Sequence, residues 1–325
     1  MNVAQRAQWG TTPAEDPRGW AYGAPLHVVG VGAAPPRRRP RDPAAVLAST
    51  LEIVRIAFLT LSVLTLGLVL NLAVASGLEY HAAQAQAFNT FRDQLAAGTA
   101  PIGPLGGDHR LLAPGAPMAL LEIPSIGVKD VVGEGTTGQV LMSGPGHLRS
   151  TVFPGGVGTS VIFGRAEAYG GPFAHISQLR AGALIKVTTG VGTSLFRVTD
   201  VRHAGSVVPN LAAGRGRLTL ATATGSSFIP TGVVWVDARL TSRPLPAAAP
   251  VSGVVSAAER PLATDTAGLW ALALWLVVLA LVLGGAVWAW HRRGHVQAWI
   301  IFTAPVVLVA YFVADHVALL LPNLM

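Results

Sequence analysis

LIKVTTGVGTSLFRVTDVR, residues 184–202, decides the class of this chain. Its two runs, LIKVTT (184–189) and LFRVTDVR (195–202), are rich in Leu, Ile, Val, Thr and Phe, which suit a pleated, half-buried surface, and a glycine-containing turn separates them. The same texture extends in both directions. ALLEI (119–123), DVVG (130–133) and SVIFG (160–164) precede the pair, and RLTLATA (217–223) and VVWVDARL (233–240) follow it, with Gly and Pro turns between. Seven short strands from Ala119 to Leu240 predict a mainly β domain closed as a barrel or sandwich, because a long open sheet would leave unpaired edges.

Outside this region the chain turns apolar. Only 12% of its 325 residues are charged, against roughly 25% in soluble domains. IAFLTLSVLTLGLVLNLAVAS (56–76) is uncharged and long enough to cross a hydrocarbon core of roughly 30 Å. It is longer than a signal-peptide core and begins far from the start, so it reads as a retained anchor over 53–76. Arg37, Arg38, Arg39, Arg41 and Arg55 flank it on one side and Glu79 on the other, which puts the N-terminus in the cytoplasm. Residues 268–290 form a second span, with Trp270 and Trp275 toward one end and Trp288 and Trp290 at the other. His291, Arg292, Arg293 and His295 then mark the inside, and 296–321, broken by Pro305, returns outward. The expected molecule is a multi-pass protein of the cell membrane with residues 77–267 outside.

The remaining segments fill in around this frame. Residues 1–50 are rich in Pro, Gly, Ala and Arg and read as a disordered cytoplasmic segment whose Arg cluster is a topology signal before it is a lipid-binding patch. Residues 77–117 are a helical stalk, with Phe88, Phe91 and Leu95 at helical spacing, followed by a connector. The β domain occupies 118–241, and the Pro- and Ala-rich 242–267 is a tether. The net charge of +7 comes from arginines near the spans and not from a basic stripe on the domain, so no nucleic-acid partner is expected. There is no cysteine, hence no disulfide, no thiolate metal site and no thiol nucleophile. The His and carboxylate residues show no paired spacing, so neither a metal nor another cofactor is expected.

Several pieces of the β domain, in order, resemble the sortases, in particular classes E and D of Gram-positive bacteria. They are LEIPSIGV (121–128), EGT (134–136), GPGH (144–147) with Thr151 and Pro154-Gly155, SVIFG (160–164), YGGPF (169–173), LRAG (179–182) and RLTLAT (217–222). The resemblance implies a sortase-like closed β-barrel of eight strands with short helices, joined here to three transmembrane α-helices. Sortases are transpeptidases that use a Cys thiolate, a His acid and an Arg that steadies the oxyanion. On this sequence the family's His position holds Arg165, its Cys position Ala223, and its Arg position Gly232. All three roles are vacant, and no residue is assigned a catalytic part. The fallback nucleophiles are the hydroxyls of Thr222 and Thr224, with Ser226 and Ser227 nearby; each needs a base, and a guanidinium stays protonated and cannot be one. His147 reads as a turn-stabilising residue, His175 and His203 as surface or cap residues. Arg165 reads as a surface residue that Glu167 can pair, with capture of an anionic partner group as the sharper alternative.

The last two spans exceed what an anchor needs, and Gly284-Gly285 permits close helix approach, so a membrane-protein partner is expected there. Asp315 and His316, near the outer end, either touch a partner helix or mark the interface. The expected function is a catalytically inactive, membrane-anchored binding or scaffold module at the cell envelope, with a secreted or cell-wall protein or peptide in the barrel groove. The Arg-over-Lys and Ala-rich usage points to an actinobacterium. The alternatives are a transpeptidase or hydrolase with a non-Cys nucleophile, and an assembly factor for a membrane complex.

Overall fold

The computed structural model describes residues 43–107, 110–203, 205–226, 229–246, 250, 256–266 and 268–325. The arginines at 37–41 and most of the expected disordered N-terminus lie outside these, but helix already begins at Pro43, inside the segment expected to lack structure. α1 (Pro43–Leu70) passes through a π turn (Asn71–Ala75) into α2 (Ser76–Ala97), so span and stalk form one helical run. The π turn re-aims the helix by inserting a residue, and within it Asn71 is buried with neither side-chain polar atom hydrogen-bonded.

Eight strands follow: β1 (Pro117–Ile123), β2 (Val128–Glu134), β3 (Gly146–His147), β4 (Gly158–Phe163), β5 (Leu184–Thr189), β6 (Gly192–Arg202), β7 (Gly216–Ser226) and β8 (Ile229–Leu240). They close as β1-β2-β3-β4-β7-β8-β6-β5, with β5 pairing back to β1. The β2–β3 and β4–β7 pairs are parallel and the others antiparallel. β3, two residues long, is the strand that periodicity misses. A short helix, α3 (Gly138–Ser143), capped by Thr137, lies between β2 and β3.

Alternation sorts the side chains. Leu121 and Ile123 of β1, Ile162 of β4, Ile185 and Val187 of β5, Phe196 of β6, Leu218 and Leu220 of β7, and Val234 and Val236 of β8 meet inside the barrel. Each such burial contributes about 1.5–3 kcal/mol.

α4 (Leu269–Arg293) and α5 (His295–Ala318) form a hairpin turned by Gly294 at φ +94°. Among the described residues, three helical stretches are long and apolar enough to cross a membrane: 60–97, 269–290 and 296–318. Leu64 of α1, Leu279 of α4 and Val309 and Val313 of α5 share one apolar cluster, and Trp275 stacks on Phe312 at 4.5 Å. A Cβ on Gly285 would lie 3.1 Å from the Phe302 ring, so this glycine serves α4–α5 packing within the chain, whereas Gly284 faces open space. His316 Nδ1 donates to Phe312 O of its own helix at 2.8 Å.

Gln84 fastens α2 to the barrel at three points. Gln84 Nε2 donates to Val131 O (3.1 Å) and Ser143 O (2.8 Å), while Val131 N donates to Gln84 Oε1 (2.8 Å). Phe91 is buried beside Val131, but Phe88 and Leu95 are exposed, so the apolar face is narrower than the spacing predicts. Gln84→Ala should lower the stability of this joint by about 1–3 kcal/mol, because it removes the partner of the backbone groups of buried Val131. Hydrogen exchange should speed up in α2 while the β7 and β8 amides keep their protection.

Candidate functional site

On β7, Leu218 and Leu220 point into the barrel, so Ala221 and Ala223 point out of it. Across the ladder Ala221 pairs with Trp235 and Ala223 with Val233. Phe163 at the end of β4 and Leu141 of α3 complete an apolar cleft on this outer face, and Phe163 meets Trp235 edge-on at 5.9 Å. Thr224 pairs with Gly232, one position off the Ala223–Val233 pair, so the β8 side chain opposite residue 223 is Val233. No β8 residue near this end is an arginine: Arg239 pairs with Arg217 at the far end of the ladder.

The cleft is filled by the chain itself. Beyond α5, Leu324 is fully buried in the cluster with Leu141, Phe163, Ala221 and Ala223. Ala166 N donates to Leu324 O at 3.0 Å. Buried Asn323 donates from its backbone N to Ala263 O (2.9 Å), and from Nδ2 to Thr136 O (3.1 Å), Ala258 O (3.2 Å) and Arg260 O (2.9 Å). These carbonyls belong partly to residues 256–266, which were expected to be tether. That stretch lies instead on the barrel, through a turn (Ala257–Glu259) capped by Ser256 and a bond from Thr136 Oγ1 to Glu259 O of 2.8 Å. Neither the occupying segment nor the docked loop carries a sequence signal.

Arg165 is not a surface residue. It is 0% exposed, with Nη1 donating to Met325 O (3.3 Å), Nη2 to Gly138 O (3.2 Å), and its guanidinium over the Tyr169 ring at 5.1 Å. Burial pushes the guanidinium down to about 10, partly offset by Tyr169, whose own hydroxyl is raised by burial. Gly164 sets up this corner: a Cβ there would lie 2.5 Å from the Phe173 ring, so the motif glycine lets that ring pack beneath the β4 exit. Tyr169, at φ 53°, holds a left-handed conformation that few side chains adopt.

The other candidates are engaged elsewhere. Thr222 is buried and its Oγ1 donates to Gly164 O at 2.8 Å, which satisfies it structurally. Thr224 O accepts from Thr231 Oγ1. The Ser226 and Ser227 side chains lie outside the described residues. His147, expected as a turn residue, lies buried in β3: Nδ1 faces Glu134 Oε2 (3.1 Å), and Nε2 faces Val152 O and Thr151 Oγ1 (3.2 Å each). His175 is exposed and bonded to Gln178, and His203 is exposed. Among the described residues none of these imidazoles contacts a threonine of the cleft, and no group of three His, Asp or Glu is placed to hold a metal.

Residues 121–229 match the sortase domain family model. Similar solved structures include the sortase D5 transpeptidase of Clostridium perfringens, 22% identical, covering 50% of this chain and 99% of that one at a TM-score of 0.42. Sortase E1 of Streptomyces coelicolor, solved with a tripeptide in its active site, is 23% identical over 41% of this chain and 93% of its own, at 0.36. Sortase E of Streptomyces avermitilis is 27% identical over 46% and 100%, at 0.36. No curated protein matches the chain significantly. The closed eight-stranded barrel carried beside these apolar helices is thus similar to a sortase domain over residues 121–229.

Proposed function

We propose that this chain is a sortase-family binding or scaffold module, held by its helices with the barrel on the outer side of a cell membrane, that has given up transpeptidation. The observation that carries the reading is the chemistry of position 223: a methyl group in an apolar cleft, with a valine opposite and a leucine seated over it. The family reaction needs a nucleophile, a proton donor to the leaving amine, and a cation at the oxyanion. Here Ala223 has no nucleophilic atom, and Arg165 is enclosed as a structural cation. The arginine-rich flanks of the spans support the outward placement of the barrel. A cell-envelope peptide or protein is the partner that such a groove would recognise.

The test is turnover. Full-length protein in detergent, given a sorting-motif peptide and an amine acceptor, should release product at the background rate, several orders of magnitude below a sortase that keeps its cysteine. Product formed by the unaltered chain, and lost in Thr222→Ala with Thr224→Ala, would instead assign a hydroxyl nucleophile.

A further inference from the structure

The apolar cluster around Ala223 is covered by residues 322–325. One leucine side chain enters the apolar cluster, its carbonyl takes the Ala166 N–H, and the next carbonyl takes a guanidinium N–H from Arg165. The preceding asparagine is clamped by three carbonyls.

We propose that Pro322–Met325 is a built-in ligand of the cleft, and that an outside peptide of the same chemistry, an apolar side chain following a carboxamide, gains the cleft only when this segment leaves. The proposal rests on the reading of the cleft as non-catalytic and extends it by naming what occupies it.

Within the contact Arg165 Nε and Asn323 Oδ1 have no hydrogen-bond partner, as is also true of Ser160 Oγ and Ser194 Oγ in the barrel. One feature bears on release: the segment is attached to the end of a candidate membrane span by a short lead. α5 ends at Ala318, Ala318 packs with Tyr80, Ala168 and Tyr169, and only residues 319–322 separate it from Asn323. A shift of α5 by one helical turn, about 5.4 Å, exceeds what the cluster can follow and would draw Leu324 out. The state of the spans would thereby set access to the groove.

The absence of native cysteine supplies a clean probe, because a thiol placed at 223 is the only one in the protein. Full-length Ala223→Cys in detergent should react with a maleimide at least about tenfold more slowly than Val207→Cys, a reference at a fully accessible loop position. Ala223→Cys combined with Leu324→Ser, or with removal of 322–325, should react within about threefold of that reference. A synthetic Pro-Asn-Leu-Met peptide at millimolar concentration should slow it again. Circular dichroism of each variant establishes that the barrel is folded. Equal labelling of Ala223→Cys with and without the segment overturns the proposal, as does protection that persists in a folded variant lacking it. Failure of the peptide to slow labelling overturns the exchange. Turnover of a sorting-motif peptide would defeat the loss of catalysis while leaving the labelling contrast standing, so the two readings fail separately.

Discussion

Asp237→Ala should lower the stability of the barrel by about 3–5 kcal/mol, because it strands a buried guanidinium. Asp237 on β8 is 1% exposed and Arg202 on β6 is 7% exposed, and they form a two-point pair, Nε to Oδ2 at 2.5 Å and Nη2 to Oδ1 at 3.2 Å. Thr219 Oγ1 on β7 adds a third bond to Oδ1 at 2.7 Å. One carboxylate thus ties together the strands on either side of β8. Removing it costs more than the pair contributes in net terms, since the arginine keeps its charge and loses its partner. Hydrogen exchange should accelerate in the β6, β7 and β8 amides by roughly two to three orders of magnitude, at 1.4 kcal/mol per factor of ten. Arg202→Met with Asp237→Leu, which removes both charges, should recover most of the loss. If the single and double variants are equally destabilised, the stranded charge is not the cause.

Arg165 makes the opposite demand. The guanidinium is fully buried, and burial, opposed in part by Tyr169, lowers it from 12.5 to about 10. The folded value lies below the unfolded one, so the folded state binds fewer protons between about pH 10 and 12.5. Stability from this group is therefore present only above that window and is lost as pH falls through about 10. At neutral pH the molecule carries the full cost of a buried charge, about 3 kcal/mol. Arg165→Met removes that cost and the two donors to Met325 O and Gly138 O, at about 1 kcal/mol or more each. The two effects nearly cancel, so Met should lie within about 1.5 kcal/mol of the native chain at pH 7. Arg165→Ala adds a cavity and should fall about 2–4 kcal/mol lower. Denaturant midpoints measured from pH 8 to 11 should show the native chain gaining on the Met variant above pH 10. A constant difference across that range would mean that the guanidinium is better solvated than its burial implies.

Position 165 also shows where reading by spacing stops. The SVIFG motif places Arg165 at the exit of β4, the position that the resemblance assigns to the family's histidine. Neighbouring Glu167 made a solvated surface pair the natural expectation. The structure encloses Arg165 instead, because Phe173 packs under Gly164 on one side and residues 322–325 close over the other. The second wall comes from a segment that follows the two apolar helices α4 and α5, and no local pattern connects it to position 165.

The strands show the converse. Runs such as LIKVTT, seen at Leu184–Thr189, were legible because each alternates side chains between one buried and one outward face, a property of neighbouring residues. β3 was not, since Gly146–His147 is held by its parallel and antiparallel neighbours and has no period of its own. The surroundings of residue 223 were not legible for a related reason. Counting along the chain reaches Gly232, and the ladder, which shifts register between Thr224 and Gly225, pairs Gly232 with Thr224 and sets Val233 opposite Ala223.

What the sequence determined alone is what depends on near neighbours and on chemical identity: the β texture, three apolar helical stretches, and the lack of any thiol. Only the tertiary structure decided what stands over Ala223, because residues 166, 263 and 324 meet there through hydrogen bonds and an apolar contact that close long loops. Such contacts depend on the path of the whole chain, and the residues that make them look ordinary until that path is known.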